Sequence, residues 1–212
     1  GMHRAGAAQT LEYAYEDWCL SQFAKALGRD ADYQQFLKRS GNWRNLFDAS
    51  TGWIRPRNLD GSWLASFEPI CKGANCPGFV ESSSAVYTYF VPQDPLGLIE
   101  ALGGPDKFTA KLQHQFELAE PLLDGGMSRQ DRLDLAEPGR FITPHGKHGE
   151  NWLDYENQPG CAMAHLFSHA GAPWLTQYWV RRMKAEVFGD ISPSGGYNGD
   201  EDQGQMGALS AL

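Results

Sequence analysis

The sequence predicts an all-α fold, and three observations support that prediction. Apolar residues recur at helical spacing in most of the chain, and no segment of any length alternates apolar with polar residues as a strand does. Long loops rich in Gly, Pro and Asp separate the predicted helices. Helix pairs joined in this way are typical of an (α/α) toroid, so we expect part of such a toroid with its site in the loops at one end.

The first two helices are expected to form an antiparallel hairpin. Gln9-Thr10 can cap a helix that ends at Gly28, and a short link leads to a second helix from Ala31 to Leu46. The spacing of their apolar residues predicts one buried face on each helix. The side chains expected on these faces are Leu11, Tyr15, Trp18, Cys19, Phe23, Ala26, Leu27, Tyr33, Phe36, Leu37 and Trp43.

The helical pattern stops between Asp48 and Gly78 and then resumes. Within this stretch, Gly52 to Trp63 is expected to form an ordered loop, because its Gly, Pro, Asn and Asp residues are interspersed with aromatic ones. Leu123 to Glu156 and Gly189 to Gln205 are polar and irregular. The later helices are expected at Ser82 to Val91, Leu96 to Leu102, Pro105 to Leu122, Cys161 to Ala170, Trp174 to Phe188 and Gln205 to Leu212.

The composition fits one globular unit and excludes some partners. Hydrophobic residues make up 42% of the 212 residues, and the last helix begins just before the chain ends, so residues 1–212 are expected to be one part of a larger barrel domain. A net charge of −8 argues against a nucleic acid or an anionic membrane as partner. No run of 18 apolar residues is present, and no apolar stretch follows the N-terminus, so neither a membrane span nor a signal peptide is expected in this chain.

Cys71 and Cys76 enclose a short Lys-Gly-Ala-Asn loop. In an oxidising compartment such a pair forms a small disulfide, and in a reducing one it leaves two free surface thiols. The sequence fits both equally well. No second close cysteine pair or histidine completes a zinc ligand set.

Glu81 is the first candidate for acid catalysis. It follows the apolar residues Phe79 and Val80 and precedes a predicted buried helix, a setting that can raise the pKa of a carboxyl group and make it a general acid. The alternative is a glutamate in the first turn of a helix, where the helix dipole favours a negative charge. The residue pattern alone favours this alternative.

Two oxygen-rich segments each stand directly before a predicted helix. Asp200-Glu201-Asp202 places three acids in a Gly-rich loop, which suits a calcium or magnesium ion, a water held for base catalysis, or simply a solvated turn. Glu156-Asn157-Gln158-Pro159 can bind a hard cation or sugar hydroxyls, or can be an ordinary helix N-cap. Two separated carboxylates, a cation and many aromatic residues together suit glycoside hydrolysis, and a helical domain that only binds a cation is the alternative.

A series of segments, in order along nearly the whole chain, resembles glycoside hydrolase family 92. Each segment alone is modest support, but their number and order make the resemblance specific. The matching segments are Thr10 to Cys19, Asn45 to Asp48 with Thr51-Gly52, Arg55-Pro56-Arg57 with Asp60-Gly61, Tyr87 to Asp94, Gly97-Leu98-Ile99, Asn157-Gln158-Pro159, Ala170 to Trp174 with Thr176-Gln177, and Gly199 to Gln205.

This resemblance implies an inverting, calcium-dependent exo-α-mannosidase that acts on mannose-containing glycans outside the cell or in the periplasm. It also implies a β-sandwich domain followed by an (α/α)6 barrel, and this chain would hold part of that barrel. By the resemblance Glu81 is the general acid, and Asp202, supported by Asp200, is the base. Asn157, Gln158 and Asp202 would bind calcium, and Gln158, Arg57 and Asp60 would contact the substrate.

The sequence departs from the family pattern beside these positions. After Glu81 the family usually has Gly-Asn-Ala-Trp-Gln, and this chain has Ser82-Ser83-Ser84-Ala85-Val86. Since such residues shape the sugar pocket, the linkage specificity is left open. Two other functions fit the sequence: an inactive remnant that binds sugar or calcium, and a helical-toroid enzyme that acts on another sugar.

Overall fold

In the computed structural model of the chain, the described residues are 5–119, 148–155, 157–187 and 204–211. Most of the segment expected to be irregular, Leu123 to Glu156, lies outside them, as does the acidic loop with Asp200 and Asp202. The described part is mostly helical, which confirms the all-α prediction. In this part of the chain, no helix is long and apolar enough to cross a membrane.

The N-terminal hairpin forms as expected, with different boundaries. Helix α1 is Gly6–Ala26 and helix α2 is Asp30–Arg39, and a 3₁₀-helix at Ser40–Leu46 continues α2. Thr10 does not cap α1, because the helix has already begun and the Thr10 hydroxyl donates to the Gly6 carbonyl at 2.7 Å. The α-helix ends at Arg39, because the next residues, Ser40 and Gly41, have lower helix propensity than the residues of α2.

The buried face of α1 is not the aromatic face that the sequence predicts. Phe23 is 64% exposed and Leu27 is 61% exposed, although both were expected in the core. Small side chains let α1 approach its neighbours closely, so they form the buried face instead and the large ones point outward. The buried residues of α1 are Ala7, Ala8, Leu11, Ala14, Asp17, Ser21 and Ala24.

The segment after the hairpin is an ordered loop, as expected. Strands β1 (Phe47–Asp48) and β2 (Trp53–Ile54) pair antiparallel through a short turn. The Arg55 guanidinium fixes this turn, because it bonds the Asp48 carboxylate at 3.0 Å and the Leu64 carbonyl at 2.6 Å. A disulfide joins Cys71 and Cys76, which resolves the choice that the sequence left open.

Of the later helices, four begin within one residue of the predicted start, and the other two predictions differ from the structure. The expected helices at Ser82 to Val91 and Cys161 to Ala170 are wrong in length. The first is a single buried turn, and the second is broken into two α-helical turns with a 3₁₀ turn at Met163–His165 between them. The α-helices are α3 (Ser84–Tyr87), α4 (Pro95–Ala101), α5 (Pro105–Ala119), α6 (Gln158–Cys161), α7 (Leu166–His169), α8 (Pro173–Val187) and α9 (Gln205–Ala211).

The core is centred on α5. The Phe116 ring packs against Phe167 of α7 and Trp179 of α8, with ring centres 5.6 Å and 4.7 Å away. The Gln115 amide, which is 2% exposed, donates to the carbonyls of Ala85 at 2.8 Å and Trp152 at 2.6 Å. Helix α5 therefore ties α3 and the 148–155 segment to one core, and both flank the candidate site.

Lys111 of α5 lies at the edge of this core. Its Nζ atom is 3.1 Å from the centre of the Trp53 ring, and that ring is 6.1 Å from the ring of Trp152. Partial burial lowers the pKa of Lys111 from 10.5 to about 8. The face of the Trp53 ring attracts the ammonium and opposes this effect.

Candidate active site

A cavity of about 610 Å³ opens between α1, α3, α6 and α7. Its volume lies within the usual range of small-molecule sites, about 300 to 1,000 Å³. Aromatic faces form much of its wall, and polar side chains enter from different elements, which is the composition of a site that binds a sugar ring. The lining residues are Glu12, Tyr15, Tyr87, Tyr89, Phe90, Pro92, Gln158, Pro159, Ala162, Leu166 and Gln205.

Glu12 is a carboxylate that lines this cavity, and the sequence did not single it out. Burial raises its pKa above the usual value, and the nearby Glu16 carboxylate raises it further. Glu12 and Tyr15 are three residues apart on α1, so both side chains face the cavity. This spacing of an acid and an aromatic residue on one helix was the available signal, but many surface helices share it.

The Tyr87 hydroxyl interacts electrostatically with both Glu12 and Glu81. Burial raises the pKa of the Tyr87 hydroxyl, and the carboxylates of Glu12 and Glu81 raise it further. Both carboxylates are therefore within electrostatic range of one phenol in the cavity wall. The Glu81 carbonyl also accepts a hydrogen bond from Asn157, which directly precedes the cavity-lining Gln158, so Glu81 lies beside the cavity although it is not among the lining residues.

Glu81 stands before α3 and not at its head, and its side chain is exposed, so the expected burial among apolar residues is not observed. Its backbone has a φ of 46°, which is uncommon for a residue with a Cβ atom. The Glu81 N–H donates to Asn75 Oδ1 at 2.6 Å, and the Glu81 carbonyl accepts from Asn157 Nδ2 at 2.8 Å. Two asparagine side chains, one 6 and one 76 positions away in the sequence, therefore fix this residue.

Three buried serines follow Glu81 and connect it to the core. The Ser84 hydroxyl donates to the Ile54 carbonyl at 2.6 Å, and the Ile54 N–H donates to the Thr88 hydroxyl at 2.9 Å. The hydroxyls of Ser82 and Ser83 have no hydrogen-bond partner among the described residues. The short serine side chains allow β2 and α3 to approach closely beneath the site.

Asn157 and Gln158, which the resemblance implies as substrate and metal contacts, lie close to Glu81 and the cavity, and their roles stay a prediction. Asn157 caps α6 and bonds the Glu81 carbonyl, while the Gln158 side chain lines the cavity. Gly160 of α6 lies directly against the Asp154 carbonyl, where any Cβ atom would collide with backbone. The position of the Asn157-Gln158 pair is therefore set by a backbone contact as well as by side chains.

The oxygen atoms of this region are of the chemical types that bind a hard cation. The Gln158 amide and the Glu12 carboxylate supply neutral and anionic oxygens to one cavity, which is the donor chemistry that calcium prefers. The Asn157 Oδ1 atom already accepts the Gln158 N–H at 2.9 Å and has a second lone pair left. Within residues 5–119, 148–155, 157–187 and 204–211, no cluster of three or more His, Cys, Asp or Glu side chains forms a metal site.

Arg57 and Asp60, expected to contact the substrate, make local contacts in their own loop. Arg57 donates to the Asn45 and Gly61 carbonyls at 2.6 Å each, and its guanidinium stacks 3.5 Å from the centre of the Trp63 ring. Asp60 accepts from the Ser62 hydroxyl and N–H, and these hydrogen bonds lower its pKa. Their role toward a substrate stays a prediction.

The predicted base and its support, Asp202 and Asp200, lie outside the described residues. Of the predicted site residues, the described part of the chain brings together Glu81, Asn157 and Gln158: Asn157 donates to the Glu81 carbonyl, and the adjacent Gln158 lines the cavity.

The comparisons with known proteins agree with this fold. The fold class is that of an (α/α) toroid. A sequence profile of the glycosyl hydrolase family 92 catalytic domain matches residues 1–212, and the chain belongs to this family.

Two solved relatives come from Bacteroides thetaiotaomicron. One is a family 92 α-mannosidase in complex with mannoimidazole, with a TM-score of 0.76 and 29% identity over 97% of this chain and 25% of that one. The other is a family 92 inverting mannosidase, with a TM-score of 0.73 and 30% identity over 96% of this chain and 26% of that one. A protein of Arthroderma benhamiae described as an uncharacterized secreted glycosidase is 26% identical over 100% of this chain and 26% of its own length. The chain thus spans about a quarter of the length of these relatives.

Proposed function

We propose that this chain supplies the general acid and part of the sugar pocket of a calcium-assisted, inverting exo-α-mannosidase. The observation that carries the proposal is the fixed position of Glu81 beside an aromatic cavity large enough for a sugar ring. Family membership and the mannosidase relatives support the choice of mannose as the sugar that the cavity holds.

In the proposed reaction the protonated Glu81 carboxyl gives its proton to the glycosidic oxygen as the bond from that oxygen to C1 of mannose breaks. A water attacks C1 from the opposite face of the ring, and Asp202, supported by Asp200, takes its proton. The C1 centre is inverted because the new C–O bond forms opposite the one that breaks. Inverting glycosidases keep their two carboxyl groups roughly 6.5 to 9.5 Å apart to admit this water.

Asn157, Gln158 and Asp202 are the residues proposed to hold calcium. When bound, the ion would supply a fixed positive charge that holds mannose hydroxyls and favours a distorted ring. Arg57 and Asp60 are proposed to contact the substrate beyond this pocket.

The proposed substrate is a mannose-containing glycan, cleaved from its end. The site is proposed to be completed by a β-sandwich domain and further barrel helices in a longer polypeptide. An extracellular or periplasmic location fits the description of the fungal relative as secreted. A disulfide between Cys71 and Cys76 is consistent with an oxidising compartment.

The test is the release of mannose from an α-linked mannose disaccharide, measured with calcium, with a chelator, and with Glu81→Gln. We expect calcium-dependent release in the unaltered protein and a loss of about 10²- to 10⁴-fold in Glu81→Gln, the usual contribution of a general acid. The 212-residue chain and the complete natural polypeptide that contains it should be assayed side by side. Full activity of Glu81→Gln in the complete polypeptide would rule out Glu81 as the acid.

A second candidate function is binding without turnover. It is favoured by the quarter of the relatives' length that the chain spans, since the remaining length can hold groups that the reaction needs. Calorimetric binding of mannose by a folded 212-residue chain that releases no mannose would support this function for the chain alone.

A further inference from the structure

The backbone of Glu81 needs external support. A φ of 46° is unfavourable for a residue with a Cβ atom, so a glutamate keeps it only where neighbouring groups hold it there. Glu81 has one such group on each side: Asn75 accepts its N–H, and Asn157 donates to its carbonyl. Asn157 directly precedes Gln158, which lines the cavity, whereas Asn75 does not line that cavity.

Asn75 lies in the disulfide loop, which we define as residues 71–76. The Cys71–Cys76 bond closes this loop immediately after Asn75. At the end of the loop the Cys76 N–H donates to the Ser82 carbonyl at 3.0 Å, so the loop bonds both Glu81 and the residue that follows it. The disulfide loop is thus joined to the Glu81 segment at two successive points.

The other side of the disulfide loop is anchored to the segment at 148–150. The Cys71 N–H donates to the Gly149 carbonyl at 2.8 Å, the Gly149 N–H donates to the Gly73 carbonyl at 2.9 Å, and the Gly73 N–H donates to the Glu150 carboxylate at 2.9 Å. A Cβ atom on Gly149 would lie 2.7 Å from the Gly73 carbonyl oxygen, so the contact is too close for any other residue. The loop that presents Asn75 is therefore fixed independently of Glu81.

We infer that Asn75, presented by the disulfide loop, is a positioning residue that orients the Glu81 carboxyl for proton donation. This inference rests on the proposed function, in which Glu81 is the general acid. Without the Asn75 acceptor, the Glu81 backbone is free to relax toward an ordinary conformation, and the direction of its side chain changes with it. The proton would then no longer be aimed at the glycosidic oxygen, although the pocket itself is unchanged.

The signature of such a role is a loss that depends on the leaving group. A sugar leaving group needs the proton of the acid, whereas dinitrophenolate leaves without protonation. Displacement of the acid therefore slows hydrolysis of an α-linked mannose disaccharide and spares that of dinitrophenyl α-mannoside. A merely structural role for Asn75 would lower both rates together.

The experiment compares Asn75→Ala, Asn75→Asp and Glu81→Gln on both substrates, using the complete natural polypeptide. We expect kcat of Asn75→Ala to fall about 10- to 100-fold on the disaccharide, the range that misplacement of a catalytic group produces, and to change little on the aryl mannoside. Asn75→Asp keeps an acceptor oxygen at the same place and should restore most of kcat on the disaccharide. A Cys71→Ser, Cys76→Ser double variant should show the same selective loss, because the loop is no longer closed.

Two results would overturn the inference in different ways. If Glu81→Gln shows the selective loss but Asn75→Ala loses nothing, or loses equally on both substrates, then Glu81 is the acid and Asn75 does not orient it. If Glu81→Gln itself loses equally on both substrates, the acid assignment in the proposed function fails, and the inference falls with it.

Discussion

Replacement of Gln115 by Leu should destabilise the protein although the new side chain is apolar and similar in size. The Gln115 amide donates two hydrogen bonds inside the core, to the Ala85 and Trp152 carbonyls, and its side chain is almost fully buried. A net hydrogen bond contributes about 1 kcal/mol, and a buried acceptor left without a donor costs about 1 to 3 kcal/mol. The buried Ala85 carbonyl left without a donor should cost about 1 to 3 kcal/mol and the partly buried bond to Trp152 about 1 kcal/mol, which together give about 2 to 4 kcal/mol.

One gain partly offsets this loss. The Gln115 Oε1 atom is buried with no hydrogen-bond partner among the described residues, and Leu removes it, which returns about 1 kcal/mol. The net expectation is a decrease of about 2 kcal/mol in the free energy of unfolding. For a chain of this size that is about 4 to 8 °C in the midpoint of thermal unfolding.

Urea unfolding followed by circular dichroism measures this change, with Gln34→Leu as the control. Gln34 is on α2 and exposed, so the same substitution there should stay within about 0.5 kcal/mol of the unaltered protein. A Gln115→Leu variant as stable as the Gln34→Leu control would show that the amide does not tie α5 to the elements around the site.

Three further predictions follow from other parts of the structure. Asn tolerates positive φ, so the free energy of unfolding of Glu81→Asn should be about 1 kcal/mol higher than that of Glu81→Gln, although both variants lack the acid. Equal stability of the two variants in urea titrations would argue against backbone strain at this position. Gly160→Ala forces a Cβ atom against the Asp154 carbonyl, so it should lower the free energy of unfolding by about 1 to 3 kcal/mol and weaken mannose binding in calorimetry. Gly41→Ala is the control, because its Cβ atom meets only the flexible end of an arginine side chain, and it should bind mannose normally. Lys111 is protonated up to about pH 10.5 in the unfolded chain and only up to about pH 8 in the folded one, so its contribution to stability is present above pH 10.5 and is lost as the pH falls through 8. Lys111→Met should therefore raise the unfolding temperature at pH 7 and lose this advantage at high pH. A lower unfolding temperature of Lys111→Met at pH 7 would mean that attraction to the Trp53 ring outweighs burial.

Local signals in the sequence located the helices whose ends are set by single residues. Proline occupies the first turn of α4, α5 and α8, where its fixed φ and missing N–H favour a helix start, and the starts of these three helices were predicted to within one residue. The face of α1 was predicted wrongly because hydrophobicity alone ranks Phe23 above Ala24. Whether a row of small side chains is buried depends on how closely the neighbouring elements pack, and the sequence of the helix alone does not show this.

The candidate site was predicted in part, and mainly through the family resemblance. The residues around Glu81 favoured an ordinary first-turn glutamate, and its positive φ depends on Asn75 and Asn157, which lie 6 and 76 positions away in sequence. No local sequence pattern predicts a positive φ in a residue other than Gly or Asn. Glu12 was missed for a related reason: its burial arises from elements far along the chain, so its own helix gave no sign of it.

The outward row of large side chains on α1 has a practical consequence for preparing the isolated chain. Leu20, Phe23 and Leu27 are 46%, 64% and 61% exposed and follow one another at spacings of three and four, which makes a continuous apolar ridge. Exposed ridges of this kind promote self-association at the concentrations used for crystallisation or NMR. Because the buried face of the helix is the alanine and serine face, charged residues at positions 23 and 27 would improve solubility and leave the packing of the core unchanged.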